Sequence, residues 1–281
     1  MKTPRHILIG SRGMLGRAWL NSLEESDTPF ITLDRPEIDL ADTATIDSVP
    51  IEPGDIVVLC AGWTDVDGAE EEETRAHAVN ATGPGHLALR CSEIGARLVY
   101  YSTDYVFGEH DNQRQPWAVD ATPCPINAYG RTKLAGERAV ASAGKEHLIV
   151  RTSWLYAPWG QNFILTMLRL AKERERLQVV DDQHGRPTSV TQLTTATRAL
   201  MEAERVGLWH VAGGGEATWC DMATAAIDAA GLNATVTPCS TDEMPRPAPR
   251  PPWSVLDLRQ TENAIGPMPT WPEEVARVVA A

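Results

Sequence analysis

Short apolar strands alternate with helical segments through the first half of this chain, and this alternation restricts the fold more than any other feature. Strands are predicted at His6–Ile9, Phe30–Leu33, Asp55–Leu59, Arg97–Ser102 and His147–Thr152. Chains in which strand and helix alternate fold as a parallel sheet with helices on both faces. We therefore predict an α/β protein with a doubly wound parallel sheet, whose ligands bind at the carboxyl ends of the strands.

A glycine-rich turn follows the first strand directly. Gly10, Gly13 and Gly16 are spaced G-x-x-G-x-x-G, and a helix is predicted to follow through about Leu23. Glycines let the backbone approach a pyrophosphate, and the amino terminus of a helix favours its negative charge. This spacing is not G-x-G-x-x-G, and a glycine triplet alone is a weak signal. The strand before it and the helix after it favour a phosphate-binding turn.

The second strand ends in Asp34, and Arg35 follows it. An acid at this place binds the ribose 2′-hydroxyl of NAD, whereas an arginine accommodates the 2′-phosphate of NADP, so the choice of cofactor stays open. Ile38–Asp42 is predicted as a strand end followed by a helix start. The small residues at 60–62 let the third strand pass close under a cofactor.

A tyrosine and a lysine lie four residues apart after the fourth strand. Tyr129 and Lys133 are predicted to share one face of a helix, and Thr103 lies at the carboxyl end of the strand before it. A nearby cation is expected to lower the pKa of a tyrosine from its usual value of about 10. Tyr-x-x-x-Lys occurs by chance in many helices. Its order after the glycine turn and the strand-end threonine favours a proton relay beside a carbonyl or an alcohol.

The alternation loosens after Ser153, and two domains are predicted. Residues 1–152 form a dinucleotide-binding domain of Rossmann type that includes the threonine and the Tyr-x-x-x-Lys pair. Residues 153–281 form mainly a smaller substrate-binding lobe, with some segments returning to the first domain. Residues 237–252 hold six prolines with Arg246 and Arg250, which is typical of a disordered linker. A loop that covers substrate, with its arginines on phosphates, is an equal alternative.

Composition excludes several classes of protein. The net charge of −13 argues against a nucleic-acid partner, because phosphate binding needs clustered cations. The acids at Asp65, Asp67 and 70–73 are predicted to form a solvated helix face rather than a metal site, since consecutive side chains point around a helix. Five scattered cysteines without a C-x-x-C pair predict reduced thiols in a cytoplasmic protein. Neither a signal peptide nor a membrane span is expected.

Several motifs in this order resemble the extended short-chain dehydrogenase/reductase superfamily, and more closely the dTDP-4-dehydrorhamnose reductase family. They are GSRGMLG, STDYVFG, AYGRTKLAGE, RTSWLYA, the run Asn162–Ser189, and S-V-L-D after the proline and arginine stretch. The resemblance implies reduction of the C4 ketone of dTDP-4-dehydro-L-rhamnose to dTDP-L-rhamnose, with NADPH or NADH as cofactor.

The resemblance and the motifs together provide three sets of candidate residues. The catalytic candidates are Thr103, Tyr129 and Lys133, with Tyr129 as proton donor, Lys133 on the cofactor ribose and Thr103 on the substrate oxygen. The cofactor-binding candidates are Gly10, Gly13, Met14, Leu15, Gly16, Asp34, Arg35, Asp39, Leu40, Ala61, Gly62, Trp63, Tyr129 and Lys133. The substrate-binding candidates are Thr103, Asp104, Trp154, Arg246 and Arg250.

The sequence also departs from the family. Some members form a magnesium-bridged dimer through glutamates, but Arg17 and Thr191 stand at the matching places, so no metal is expected. Gly62 and Trp63 stand where relatives often carry Ala-His or Ala-Tyr, which leaves the exact sugar open. The alternatives are a reductase of a different nucleotide-4-ketosugar and a non-catalytic, NADP-binding regulatory subunit. The expected partner is a small nucleotide sugar, with no membrane contact, and the expected assembly is a monomer or homodimer.

Overall fold

The computed structural model describes residues 4–108 and 114–281, which contain twelve strands and eleven α-helices. The strands are β1 (His6–Ile9), β2 (Phe30–Leu33), β3 (Ile56–Leu59), β4 (Arg97–Thr103), β5 (His147–Thr152), β6 (Leu155–Tyr156), β7 (Arg176–Val180), β8 (His184–Gly185), β9 (Thr188–Ser189), β10 (Gly207–His210), β11 (Ala217–Thr218) and β12 (Thr235–Cys239). The helices are α1 (Met14–Glu25), α2 (Thr43–Asp47), α3 (Val66–Glu71), α4 (Glu73–His77), α5 (Gly83–Ile94), α6 (Ala128–Ala143), α7 (Phe163–Glu173), α8 (Val190–Glu202), α9 (Trp219–Ala229), α10 (Arg259–Ile265) and α11 (Trp271–Ala280). A π-helical turn spans Ala78–Thr82, and short 3₁₀ turns span Asp104–Val106 and Thr241–Glu243.

Six strands form one parallel sheet in the order β10-β5-β4-β3-β1-β2. From β1 the chain moves outward to β2 on one side, and from β3 it moves outward to β10 on the other. The strand order therefore reverses between β1 and β3, and a crevice forms there at the carboxyl ends of the strands. The predicted Rossmann-type doubly wound sheet is confirmed.

Each central strand divides its side chains between two apolar layers, because successive residues point to opposite faces of a sheet. In β4, Val99 and Tyr101 belong to the layer built with α1 and α8. Leu98 and Tyr100 belong to the layer built with α5 and α6. Each buried aliphatic side chain stabilises the fold by roughly 2 kcal/mol. A slip of one residue would exchange the two faces, so the register of the sheet is strongly specified.

The carboxyl half adds a smaller lobe beside this sheet. Its strands pair only in twos: β6 with β9 and β7 with β12 in parallel, and β8 with β11 antiparallel. Helix α9 packs against both α7 and α11, and the buried Met222 and Ala226 of α9 lie in their shared core. One strand of this half, β10, does not belong to the lobe but pairs with β5 in the central sheet.

One local prediction is wrong in part. Ile38–Asp42 contains no strand end, because Ile38 and Leu40 reach the core from a turn. The predicted helix start is confirmed, because α2 begins directly after Asp42, whose Oδ1 accepts from Ala44 N at 3.0 Å. Of the two alternatives for the 237–252 stretch, the structure excludes the disordered linker, because its first residues form the end of β12 and Pro249 O accepts from Asn127 Nδ2 at 2.9 Å.

Within residues 4–108 and 114–281, no helix is long and apolar enough to cross a membrane. No group of histidine, cysteine, aspartate or glutamate side chains there has the arrangement of a metal site. All five cysteines are free thiols.

Candidate active site

A cavity of ≈ 920 Å³ lies at the carboxyl ends of the strands from β2 to β5. The predicted site residues that line it are Gly10, Gly13, Met14, Leu15, Asp34, Arg35, Leu40, Ala61, Gly62, Trp63, Thr103, Asp104, Tyr129, Lys133 and Trp154. The predicted residues outside its lining are Gly16, Asp39, Arg246 and Arg250. The cavity therefore brings together the glycine turn, the Tyr-x-x-x-Lys pair and the strand-end threonine.

The glycine turn and the start of α1 form one wall. Gly10 has a φ of +90°, and a Cβ there would lie 2.6 Å from the backbone nitrogen of Ala61 on the neighbouring loop. A Cβ on Gly16 would collide with the carbonyl oxygen of Gly10, so this glycine serves packing under the turn. Gly13 caps α1 without a side-chain hydrogen bond, and the first turn of α1 holds no acid. The free amides of this helix end suit an anion such as a pyrophosphate.

Asp34 lies at the carboxyl end of β2 and is held in place by the glycine turn. Its carboxylate accepts from Ser11 Oγ at 2.5 Å and from the backbone nitrogen of Arg12 at 3.2 Å. Arg12 and Arg35 both extend largely exposed side chains here, and Arg35 lies 4.0 Å from Asp39. This end of the cavity offers one hydrogen-bonded acid and two largely exposed cations to a ribose.

Asn80 fixes the loop after β3. Its Oδ1 accepts from Trp63 N at 2.9 Å, and its Nδ2 donates to Trp63 O at 3.1 Å and to Thr132 Oγ1 at 3.1 Å. A side chain with both donor and acceptor is needed for these bonds. The buried asparagine thus joins the Ala61–Trp63 loop to α6. Asn80 is not among the site residues predicted from the sequence.

Thr103 and Tyr129 meet where β4 ends and α6 begins. Thr103 Oγ1 donates to Asp104 Oδ1 at 3.1 Å and accepts from Tyr105 N at 3.2 Å. Asn127 caps the start of α6, with its Oδ1 accepting from Gly130 N at 2.8 Å, and Tyr129 in the first turn of the helix lines the cavity. The Tyr105 ring meets that of Tyr129 edge-on, with 5.9 Å between centroids.

The pKa of the tyrosine corrects one prediction. Burial, together with the charge of Asp104, raises the pKa of Tyr129 to about 12, against the effect of its hydrogen bond with Thr103. We expected Lys133 to lower this pKa, and that expectation is wrong for this structure. Lys133 instead donates to the carbonyl oxygen of Tyr101 at 2.5 Å and lies over the Tyr100 ring. Burial lowers the pKa of Lys133 to about 7, opposed by the charge of Glu137.

Asp104 connects the site to the carboxyl-terminal segment. It is almost fully buried, and its Oδ2 accepts from Ser254 Oγ at 2.5 Å. Burial raises the pKa of Asp104 to about 7, although the bonds from Ser254 and Thr103 oppose this. Ser254 belongs to the S-V-L-D motif, so two motifs that are distant in the sequence meet at this carboxyl group.

The acidic run is not simply a solvated face. Glu70 Oε1 accepts from the first amide of α6, Ala128 N, at 2.7 Å, and Glu73 forms a two-bond ion pair with Arg131 at 2.8 and 2.9 Å. Carboxylates near a helix amino terminus stabilise it. The run therefore anchors the helix that carries Tyr129. The prediction missed this because the partners lie 58 residues away.

The same run also holds the two arginines of the proline-rich stretch. Asp67 Oδ1 accepts from Arg250 Nη1 at 2.9 Å and from Ala248 N at 3.1 Å, and Arg246 lies 4.0 Å from this carboxylate. Neither arginine lines the cavity. A role for Arg246 and Arg250 in binding phosphates stays a prediction.

Aromatic side chains close the far end of the cavity. Trp154 is joined there by Phe163, Trp219 and Met222, three residues that sequence reasoning did not place in the site. Phe163 and Trp219 each open a helix, and their rings lie 4.7 Å apart. No local pattern distinguishes them from ordinary core aromatics. Only the run Asn162–Ser189, which includes Phe163, was singled out as a motif.

Comparisons with known proteins agree over the whole chain. A family model described as RmlD substrate binding domain matches residues 5–281. The dTDP-4-dehydrorhamnose reductase of Mycolicibacterium smegmatis is 40% identical over 281 residues, which cover 99% of this chain and 85% of that protein. The dTDP-4-keto-6-deoxy-D-glucose reductase of Streptomyces niveus is 39% identical, covering 90% of this chain and 88% of that protein.

A solved structure gives the same result. The dTDP-4-dehydrorhamnose reductase of Bacillus anthracis, crystallised in complex with NADP, superposes with a TM-score of 0.94 at 35% identity. The match covers 99% of both chains.

Proposed function

The chain belongs to the family described as RmlD substrate binding domain and to the dTDP-4-dehydrorhamnose reductases, and on this premise we propose that it reduces a nucleotide 4-ketosugar. Family membership makes it an NAD(P)-dependent oxidoreductase. The proposed substrate is dTDP-4-dehydro-L-rhamnose, whose C4 ketone is reduced with NADPH or NADH to give dTDP-L-rhamnose.

One observation carries the proposal. Thr103, Tyr129 and Lys133 line the same cavity as the uncapped amino terminus of α1. That helix end and the fixed Asp34 suit the pyrophosphate and the adenosine ribose of a dinucleotide. The proton-transfer groups lie at β4 and α6, away from this end, where a reacting sugar would sit. On this arrangement we infer that residues 1–152 bind mainly cofactor and residues 153–281 mainly substrate.

Each catalytic candidate has a role that its chemistry supports. A bound nicotinamide cofactor supplies a hydride to C4 of the sugar, and negative charge develops on the C4 oxygen. Tyr129 donates a proton to this oxygen, and its raised pKa keeps the phenol protonated at neutral pH. The hydroxyl of Thr103 hydrogen-bonds the same oxygen. Lys133 holds the cofactor ribose from the same face of α6.

The residues around the adenosine ribose support both cofactors. Asp34 is positioned by Ser11 to accept from a 2′-hydroxyl, as in NADH. Arg12 and Arg35 are exposed beside it and suit the 2′-phosphate of NADPH. The Bacillus anthracis relative was crystallised with NADP. We therefore propose NADPH as the cofactor, with NADH also accepted.

A second substrate is favoured by a specific relative. The Streptomyces niveus protein, at 39% identity, is named for the reduction of dTDP-4-keto-6-deoxy-D-glucose. The Gly62–Trp63 loop, which differs from many relatives, lines the cavity here. A reductase of this other 4-ketosugar is thus the second candidate. A non-catalytic regulatory subunit is disfavoured because Tyr129 and Lys133 are both present in the cavity.

The test is an absorbance assay of nicotinamide oxidation with enzymatically generated dTDP-4-dehydro-L-rhamnose, run with NADPH and with NADH. We expect sugar-dependent oxidation. Tyr129→Phe is expected to reduce kcat by about 10²–10⁴-fold while the Kd for NADPH stays nearly unchanged, since only the proton donor is lost. Tyr156→Phe, the same change outside the cavity, is the matched control.

Three outcomes contradict parts of the proposal. Full turnover by Tyr129→Phe would remove this residue from the mechanism. A higher kcat/KM for dTDP-4-keto-6-deoxy-D-glucose would favour the second substrate. Binding of NADPH without oxidation in the presence of either sugar would favour the regulatory subunit.

A further inference from the structure

Trp154 has an unusual backbone conformation at the end of β5. Its φ is +48°, in the left-handed region that bulky residues seldom adopt. The turn between β8 and β9 holds it there: Thr188 N donates to Trp154 O at 3.2 Å, and Ser153 Oγ donates to Arg186 O at 2.7 Å. Strained residues of this kind cluster at functional sites, where surrounding structure fixes them.

The Trp154 ring is held by one pair of strands. Trp219, which follows β11, stacks on it with 3.7 Å between ring centroids and 7° between planes. Gly185 in β8 leaves room for the ring, because a Cβ there would collide with Cε2 of Trp154. Gln183, just before β8, accepts from Trp219 Nε1 at 3.1 Å and so fixes the stacking partner. Gly185 thus makes room for the Trp154 ring, Trp219 stacks on it, and Gln183 fixes Trp219.

The indole N–H of Trp154 forms no hydrogen bond with the described part of the chain. Of the nine tryptophans, the other eight donate this group to a protein acceptor, whereas Trp154 Nε1 has no acceptor among residues 4–108 and 114–281. It is not among the buried atoms that lack a partner, and the residue lines the cavity. An accessible donor on a fixed ring can select for a hydrogen-bond acceptor on a ligand.

The sheet order places this donor at the substrate end of the cavity. Thr152, two residues before Trp154, pairs in register with Thr103 on the adjacent β4. Asp34 ends β2, which lies at the opposite edge of the sheet, with β1 and β3 between it and β4. A dinucleotide that reaches from Asp34 to Thr103 therefore leaves Trp154 beyond its nicotinamide end, beside the reacting sugar.

We propose that Trp219 and Gln183 are positioning residues for sugar recognition: they hold Trp154 so that its indole N–H donates to an oxygen of the sugar. The inference rests on the proposed function, because it takes the occupant of this end to be the sugar of the nucleotide substrate. It goes beyond that function by assigning the specificity contact to a stacked pair rather than to one side chain.

Four variants test whether Trp219 positions Trp154. Trp154→Phe removes the N–H and keeps an aromatic ring, and Trp219→Ala removes the ring that stacks on Trp154. Each is expected to raise the KM for the sugar and the Kd for dTDP-L-rhamnose by about tenfold, the effect of one hydrogen bond, with kcat and the KM for NADPH little changed. Gly185→Ala, which displaces the ring without removing a polar group, is expected to act in the same direction. Trp219→Phe is expected to restore most of the affinity.

The double variant separates positioning from independent contact. Because Trp219 acts through Trp154, adding Trp219→Ala to Trp154→Phe is expected to cost little more than either change alone. Trp271→Phe, whose indole N–H binds Glu216 O outside the cavity, is the matched control and is expected to match wild type. Unfolding temperatures of all variants identify any general loss of structure.

The outcomes distinguish this inference from the proposed function. If wild type oxidises NADPH with the sugar but Trp154→Phe or Trp219→Ala leaves the KM for the sugar unchanged, the positioning of Trp154 for sugar recognition is overturned and the proposed function stands. Fully additive effects overturn the positioning role. If wild type shows no turnover, the Kd for dTDP-L-rhamnose is compared between wild type and Trp219→Ala by calorimetry. Equal values of Kd, or no binding to either protein, overturn the positioning role.

Discussion

Burial decides the protonation of the catalytic candidates. It raises the pKa of Tyr129 to about 12 and lowers that of Lys133 to about 7, in both cases because the charged form loses hydration. The phenol thus stays protonated at every pH at which the protein would be assayed. The ammonium of Lys133, in contrast, loses its proton just above neutrality. A reductase needs the protonated phenol, so the arrangement suits proton donation rather than proton removal.

The first prediction concerns pH. Lys133 is charged below its pKa of about 7, so kcat is expected to fall as pH rises through this value, because the uncharged amine holds the cofactor ribose less firmly than the ammonium. Steady-state rates between pH 5.5 and 9, on the order of two pH units to either side of the pKa, measure this limb. Lys133→Met is expected to give a lower and flat profile.

A second group titrates in the same range and needs its own control. The pKa of Asp104 is raised to about 7, and this residue gains charge as the pH rises. Asp104→Asn is expected to keep the falling limb if Lys133 causes it. A limb that disappears in Asp104→Asn and survives in Lys133→Met would assign the effect to Asp104.

At the scale of elements, α6 is the helix on which the site depends, and neighbouring elements anchor it at two places. Its first amide binds Glu70, and Glu137, one turn after Lys133, forms a buried ion pair with Arg151 of β5 at 2.7 Å. Ser102 of β4 donates to the same glutamate at 2.5 Å. These bonds fix both the start and the middle of α6 against the sheet.

The second prediction tests the anchor at the start of α6. Glu70→Ala removes the acceptor for Ala128 N and is expected to lower the free energy of unfolding by about 1 kcal/mol, as loss of a helix cap does. For a chain of this size the unfolding temperature is expected to fall by roughly 2 °C. Glu71→Ala, the same change at the exposed neighbouring position, is expected to have no effect in thermal unfolding. Equal losses in both variants would contradict the anchoring role.

The third prediction tests the buried ion pair. Arg151→Met leaves Glu137 buried without its partner and is expected to cost roughly 3–5 kcal/mol in urea unfolding. Adding Glu137→Met removes the stranded charge, so the double variant is expected to recover much of this loss. A double variant no more stable than Arg151→Met would contradict the cost assigned to the unpaired, buried Glu137.

At the scale of the whole molecule, the carboxyl-terminal segment returns to the first half of the chain. Ser254 reaches Asp104, the carbonyl of Pro249 binds Asn127, and Arg250 binds Asp67. The sheet itself takes β10 from the same half. The cavity is therefore walled by residues from both halves, and its shape depends on the folding of the whole chain.

The fourth prediction concerns stability in acid. Burial lowers the pKa of His6 to about 4 and that of His210 to about 3, against about 6.5 in an unfolded chain. The unfolded chain then binds more protons as the pH falls below 6.5, so the free energy of unfolding is expected to decrease from pH 6.5 towards 4. Each histidine contributes up to about 1.4 kcal/mol per pH unit.

The raised pKa of Asp104 acts in the opposite sense throughout this range, because between its unfolded value of about 3.9 and its folded value of about 7 the folded protein binds the extra proton. The slope of stability against pH is expected to decrease by about one proton in His6→Asn, measured by urea unfolding at several pH values. His77→Asn, at an exposed place in α4, is the control. An unchanged slope in His6→Asn would contradict the prediction.

The sequence by itself determined the elements and the set of motifs. Predicted and observed bounds agree for β1, β2 and β5, because strand and cap signals depend on residues within one turn or a few positions. Gly10, Gly13, Thr103, Tyr129 and Lys133 were predicted from their spacing, their order along the chain and the family resemblance, and they line one cavity, although their roles stay predictions. The alternation of strands and helices was also sufficient to predict a doubly wound sheet.

Only the tertiary structure decided what surrounds these residues. The raised pKa of Tyr129, the stacking of Trp219 on Trp154 and the binding of Glu70 to α6 all join parts of the chain that are distant in sequence. Burial and long-range contacts follow from packing of the whole chain, which no local pattern encodes. The strand prediction at Ile38–Asp42 failed for the same reason. Alternating apolar residues indicate burial, but in the folded chain Ile38 and Leu40 are buried from a turn rather than from a strand.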